Sequence, residues 1–290
     1  LLEKHFVSKR SRQQRGILTL LARDADARIF AYADCSLRKK DQNRAILQFV
    51  EYWTQRTGHA PRELVFDSWL TRYKYLAKLN EQHIKFITLR CRSPKLKERI
   101  GQIPADQWRR ITLTNIGRKY RNPRIVDEQA ELTDYPGLIR QILIKGLGHD
   151  QPTVLITNQE KVSPVRLVDR YARRMVIENI ISDAIDFFHM DALSAAVPMK
   201  INVDVQLTVM ASVLYRLLGL RIGEGFEFAE ARTIFRKLVP RQADITLTER
   251  EIVVTSPRRA YTPLLMNADY HKLAQPIPWL DNKILKFQFA

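Results

Sequence analysis

Residues 63 to 90 constrain the fold more than any other stretch of this chain. Glu63-Leu64-Val65-Phe66-Asp67 is a compact apolar run that follows Pro61 and ends in a carboxylate. That is the pattern of a buried strand whose last residue faces a cleft. Tyr73 to Gln82 has helical spacing, and Lys85 to Arg90 reads as a second strand. Strand, helix, strand in this order implies a right-handed parallel crossover. The centre of the molecule is therefore expected to be α/β, with Asp67 at the end of a buried strand.

The flanking segments extend this reading. Ile17 to Ala22 and Arg28 to Ala33 are strand-like and enclose Asp24-Ala25-Asp26, a polar turn, so they predict a β-hairpin. Asp41 to Arg56 has a helical apolar face (Ile46, Leu47, Phe49, Val50, Trp53), with Asp41 as the expected N-cap and Gly58 as the stop. From Arg92 to about Ser163, short β-prone pieces alternate with Gly, Pro, Asn and Asp, which predicts a β-rich insertion. After Pro164 the chain turns helical through His189, with further helices at Val203 to Leu218 and Phe228 to Leu238. Strand-like segments return after Asp244. The domain reading is a first part at 1–91, the insertion at 92–163, a helical part at 164–220 and a C-terminal region at 221–290.

Charge narrows the partners. Lys and Arg number 48 against 31 Asp and Glu, a formal net charge of +17. Some of that keeps a protein soluble, but so large an excess in a folded chain points to a polyanion, nucleic acid ahead of membrane. The segment Leu1 to Gly16 alone carries Lys4, Lys9, Arg10, Arg12 and Arg15. No uncharged apolar run reaches the roughly 20 residues of a spanning helix. The longest apolar segment, Leu207 to Leu220, is broken by Arg216 and reads as a buried helix. With only Cys35 and Cys91 present, neither a disulfide scaffold nor a thiolate metal site is expected, and a reducing cytoplasm fits.

The chemistry rests on a second carboxylate. In the helix from Tyr171 to Ile185, Tyr171, Arg174 and Glu178 are spaced i, i+3, i+7 and stack on one face. Ile177, Ile181, Ala184 and Phe188 fill an adjoining face, which leaves a narrow polar stripe. From spacing alone, an i, i+4 ion pair between Arg174 and Glu178 is the simpler account of that stripe. Asp67 or Ser68 alone could merely cap the helix that follows. Taken together, a strand-end aspartate and a helix glutamate in a basic chain suit divalent metal held by hard oxygens. Two such ions can activate a water or hydroxyl and stabilise the leaving oxygen in phosphoryl transfer.

Leu64-Val-Phe-Asp67-Ser-Trp-Leu-Thr resembles the second-aspartate strand of the DDE transposases of bacterial insertion sequences. Tyr171-x2-Arg174-x3-Glu178 resembles the Tyr-Arg-Glu signature around their glutamate, and Phe187 to Ser194 followed by Val205 to Gly219 is similar to one branch of these enzymes. The resemblance runs from Lys4 to about Leu285. It implies a ribonuclease-H-like core: a mixed five-stranded sheet with flanking helices, an antiparallel meander first, and a β-rich insertion before the glutamate helix. It further implies Asp67 and Glu178 as catalytic metal ligands for Mg²⁺ or Mn²⁺, two ions in the complete site, with Tyr171 and Arg174 on DNA. The expected partners are double-stranded DNA, as transposon terminal repeats and target, and a second copy of the chain in the DNA complex.

Two positions depart from the family pattern. Ile185 stands where the signature ends in a lysine. The first aspartate of the family should lie on strand one, and since 17–33 supplies strands two and three, strand one falls before Gly16, where no aspartate occurs. The expectation is that this residue lies upstream of Leu1, with Asp34 as the fallback. His149, His189 and the glycine-containing stretch Lys145 to His149 read as structural. Trp108 reads as packing ahead of base stacking, and Arg173 lacks the family's support. The favoured function is metal-dependent DNA cleavage and strand transfer. The alternative is a truncated transposase that only binds DNA, and a third reading is a stand-alone metal nuclease.

Overall fold

The computed structural model describes residues 3–7, 12–113, 121–148, 150–192, 195 and 197–290. Lys9, Arg10, His149 and Ser194, named above, lie outside them. Strands β1 (Glu3–Val7) and β2 (Arg12–Gly16) pair antiparallel, and β3 (Leu18–Arg23) pairs with β4 (Phe30–Leu37) in a separate two-stranded sheet. The expected turn closes through the Asp24 carboxylate, which accepts from the backbone N–H of Asp26 and Ala27 at 2.9 and 2.7 Å. Helix α1 (Ala45–Thr57) stops at Gly58, which takes the left-handed conformation that glycine adopts without strain. Its start differs from expectation. Asp41 precedes a short 3-10 turn and makes no side-chain cap bond, so α1 begins only at Ala45.

β5 (Glu63–Val65), α2 (Tyr73–Glu81) and β6 (Lys85–Leu89) form the parallel unit. After α3 (Pro94–Gly101) come β7 (Arg109–Arg110), β8 (Arg124–Glu131), β9 (Leu138–Lys145) and β10 (Thr153–Thr157). These join β5 and β6 in one six-stranded mixed sheet of order β5-β6-β10-β9-β8-β7. Six strands thus stand where five were expected. The β-prone pieces of 92–163 find their hydrogen-bond partners by pairing antiparallel onto β6, and β1 to β4 pair among themselves.

Side-chain alternation builds a core on each face of this sheet. Phe86 and Ile156 point into one cluster with Ile46, Val50, Leu76 and Leu79 from α1 and α2. Ile87, Ile142 and Leu155 point into the other, with Leu167 and Val168 of α4 (Pro164–Arg173). β9 is almost wholly buried, with Ile139, Ile142, Leu143 and Ile144 giving apolar side chains to both faces and Arg140 and Gln141 buried beside them.

The chain divides into two compact units, Leu1–Leu20 with Asp34–Asn179, and Leu21–Ala33 with Ile180–Ala290. Helix α5 (Met175–Asp186) follows α4. The second unit contains α6 (Pro198–Ile222), α7 (Ala231–Leu238), β11 (Asp244–Leu247), β12 (Glu251–Ser256), α8 (Thr262–Asn267), β13 (Gln275–Ile277) and β14 (Lys283–Phe289). Its strands form a four-stranded sheet, and its core centres on Ile222, Phe226, Ile234, Leu238 and Leu265.

Helix α6 corrects the reading of 207–220 as a buried helix. Val203, Leu207, Met210, Leu214 and Leu217 are each at least half exposed. Their 4-3-4-3 spacing is that of a heptad seam, and apolar content alone cannot distinguish such a seam from a buried helix. By length and composition α6 is also apolar enough to cross a membrane.

Candidate active site

Phe66 N–H donates to the Ile87 carbonyl and keeps the chain paired with β6 one residue beyond β5. The next residue, Asp67, leaves the sheet with an extended backbone and leads into a 3-10 turn at Ser68–Leu70. A cap would send the Asp67 carboxylate to the turn's backbone N–H groups, but no such bond forms. The Asp67 carbonyl serves the turn instead, accepting from Leu70 N at 3.1 Å and Thr71 Oγ1 at 3.3 Å. The carboxylate is left to face outward, and Ser68 Oγ donates to its Oδ1 at 2.9 Å. The capping account of Asp67 therefore falls away.

The partner helix is placed by long-range contacts. Arg140, almost buried, pairs with Asp127, and its Nη1 also donates to the carbonyls of Gln159, Glu160 and Val162 at 2.8, 2.9 and 2.6 Å. That clamp holds the loop that launches α4, where Ser163 accepts from Arg166 N–H and Pro164 occupies the first turn. Arg170 then pairs with Glu63 of β5 at 2.8 Å, and Leu167 and Val168 pack into the sheet's core. Sequence spacing carries no signal for the Arg140 clamp, since its partners are distant in the chain.

The helix expected to run unbroken from Tyr171 is interrupted at Arg174. Arg174 N donates to the Tyr171 carbonyl at 3.0 Å and Ile177 N to the Arg174 carbonyl at 2.9 Å, i to i−3 bonds that tighten the turn between α4 and α5. At this joint the guanidinium spans both acids. Its Nη1 lies 3.4 Å from Asp67 Oδ2 and its Nη2 lies 3.5 Å from Glu178 Oε1. The i, i+4 pair anticipated from spacing is present, and a carboxylate far away in sequence is brought to the same guanidinium. Both acid side chains are about half exposed, at 46% and 54%, whereas Arg174 is 21% exposed with its Nε buried and without a hydrogen-bond partner.

Tyr171 lies beneath this arrangement. It packs against the core cluster that contains Leu167, and the Arg174 guanidinium carbon sits 5.4 Å from its ring centre. The phenol oxygen is buried and its O–H meets no acceptor. Burial pushes the Tyr171 phenol up to about 12; the Arg174 charge opposes the rise, and the negative charges of Asp67 and Glu178 add to it. The hydroxyl therefore stays protonated near neutrality and remains available as a donor.

The donor chemistry of the two carboxylates suits a hard divalent cation in part. Among the described residues, no group of three or more His, Cys, Asp or Glu side chains could hold a metal ion. Asp34 is no part of such a group: its Oδ1 accepts from Ser36 N at 2.8 Å and Ser36 Oγ at 2.6 Å. Trp108 packs beside Leu96, Ile100, Leu143 and Val154, with Lys145 Nζ 4.1 Å from its ring centre, which is a packing role. Arg173 is exposed.

Two comparisons bear on these residues. The family model described as Transposase DDE domain matches residues 4–214, well over half of the chain and inclusive of Asp67, Tyr171, Arg174 and Glu178. No curated protein matches the chain.

Proposed function

This chain belongs to the transposase DDE domain family, and we propose that it cleaves DNA strands at the ends of a bacterial insertion sequence and joins them to target DNA. The observation that carries this reading is the Arg174 guanidinium held between Asp67 and Glu178. The mixed sheet with a helix-covered core on each face supports a ribonuclease-H-like scaffold, and the net charge of +17 supports a DNA substrate. The site of action is the bacterial cytoplasm, with a second copy of the chain in the DNA complex.

In this reading Asp67 and Glu178 supply two of the ligands for Mg²⁺ or Mn²⁺. The metal, when bound, lowers the proton affinity of the attacking water or hydroxyl and stabilises the leaving oxygen. The chain's own residues place the phosphate. Half-exposed ion pairs as long as those of Arg174 are worth about 1 kcal/mol or less each. Exchanging a carboxylate oxygen for a phosphate oxygen therefore costs little, and the planar guanidinium suits that acceptor. Tyr171, protonated and packed beneath Arg174, backs the guanidinium that meets this phosphate beside the DNA, while Ser68 holds the Asp67 carboxylate in orientation.

The test is Mg²⁺-dependent cleavage of a labelled duplex carrying the insertion-sequence end, by a protein in which the family's first aspartate is also present. Asp67→Ala and Glu178→Ala are each expected to abolish cutting while keeping most of the DNA affinity, because phosphate contacts dominate binding. Cutting that survives both substitutions would overturn the assignment.

A further inference from the structure

A second feature lies beside Asp67 and holds neither of the two carboxylates. A cleft of about 720 Å³ opens where β5 and β6 end and β10 begins, and its lining includes Ser68, Arg90, Cys91, Arg92, Lys97 and Asp150. Open α/β sheets bind their ligands outside the carboxyl ends of parallel strands, and this cleft occupies that position. Ser68 joins it to the candidate active site, since the same hydroxyl that lines the cleft donates to Asp67 Oδ1.

The lining is cationic. Among the described residues Arg90, Arg92 and Lys97 stand there against one carboxylate, Asp150. Arg90 Nη1 donates to Gln141 Oε1 at 2.7 Å and Arg92 Nη1 to the Pro152 carbonyl at 2.8 Å, both uncharged acceptors that orient the side chains without neutralising them. Arg92 and Lys97 are exposed, Lys97 being carried on α3. Low-dielectric walls lined by one sign of charge concentrate counter-ions of the other. The cleft's volume falls within the roughly 300–1,000 Å³ of sites that hold small ligands, which suits a short stretch of one strand better than a duplex. Among the described residues no aromatic ring lines it, so these residues offer contacts to phosphates and no stacking platform for bases.

We propose that this cleft seats the sugar-phosphate backbone of an unpaired DNA strand as it runs past the Asp67–Glu178 pair, with Arg92 and Lys97 as its phosphate contacts. The proposal deepens the transposase reading and rests on it, yet its test is read without metal and without cutting. Binding of a single-stranded oligonucleotide and of a blunt duplex is followed by fluorescence anisotropy across a salt series, for the native chain and for Arg92→Gln/Lys97→Gln. Single strands lose about 0.7 in log–log salt slope for each phosphate contact removed. The double variant is therefore expected to shift the single-strand slope by about 1.4, with the duplex slope unchanged. Both side chains are exposed, so an unaltered thermal melting curve establishes that the variant is folded.

Cys91 gives an independent readout, as an exposed thiol in the lining, whereas Cys35 is buried. A single strand bearing a disulfide tether is expected to crosslink to Cys91 faster than an uncharged probe with the same tether, and to lose that advantage in the double variant. A single-strand slope unmoved by the substitutions, an equal shift for the duplex, or no rate advantage at Cys91 would each overturn the proposal. If instead the cleft behaves as described while Asp67→Ala still cuts DNA, the catalytic assignment fails and the strand site stands.

Discussion

The Tyr171 hydroxyl is buried without an acceptor, and leaving such a group unsatisfied costs about 1–3 kcal/mol. Its phenol is held at about 12, against about 10 for an ordinary tyrosine. Folding therefore favours the neutral phenol. The resulting stability is fully present below the unfolded value near 10 and is lost as pH rises through 12. In an alkaline absorbance titration, the difference between the native chain and Tyr171→Phe should show phenolate appearing near pH 12. The variant should also lose less stability than the native chain between roughly pH 10 and 12. A Tyr171 that titrates with the remaining tyrosines would mean that its phenol is not held in the core beneath Arg174. Arg140 presents the opposite situation, a buried cation whose partners are all in place. Arg140→Met strips Asp127 and three carbonyls of their donor, and breaking a buried pair costs roughly 3–5 kcal/mol. Chemical denaturation should show a loss of that size, and a loss below about 1 kcal/mol, typical of an exposed pair, would mean the clamp does not hold the loop.

Among the elements, α6 sets local propensity against packing at one position. Gly219 lies inside the helix, where alanine would be favoured by about 1 kcal/mol on propensity alone. A Cβ there would stand 2.5 Å from the Phe226 carbonyl oxygen, a backbone atom held by the turn that follows α6, and 3.2 Å from Ile234 Cδ1. Overpacking of this kind costs about 1–3 kcal/mol. Gly219→Ala is therefore expected to destabilise the C-terminal unit and to speed its cleavage in limited proteolysis. Unchanged or improved resistance would show that the turn yields easily. In the central sheet, Leu155 is fully buried between strands and helix, and Leu155→Ala should cost about 2–5 kcal/mol in a denaturant titration. A cost near zero there would contradict the core assigned to that face.

At the scale of the molecule, the net charge of +17 carries a quantitative consequence. Each phosphate neutralised on duplex DNA contributes about −0.9 to the slope of log affinity against log salt. With six to ten contacts, affinity should fall by roughly 10³ to 10⁵ between 50 and 200 mM salt. Anisotropy titrations on one duplex across that range would check it, and a flat response would mean that the basic surface serves another partner.

Short-range patterns were readable directly from the residues. The β5–α2–β6 crossover, the stop of α1 at Gly58 and the Arg174–Glu178 pair depend on neighbours within a few positions, where periodicity, glycine geometry and i, i+4 spacing act. Asp67 could be placed at a strand's end for the same reason, but whether it capped a turn or faced another acid could not. That was decided by the three-dimensional placement of α4, through Arg140, Arg170 and the core residues Leu167 and Val168, none of which is near Asp67 in the chain. Tertiary pairing likewise carried β8 to β10 onto β6 and left the apolar seam of α6 uncovered. Strand partners and the covering of a helix face are long-range choices, made by which surfaces meet. Local sequence constrains the candidates for those choices without selecting among them.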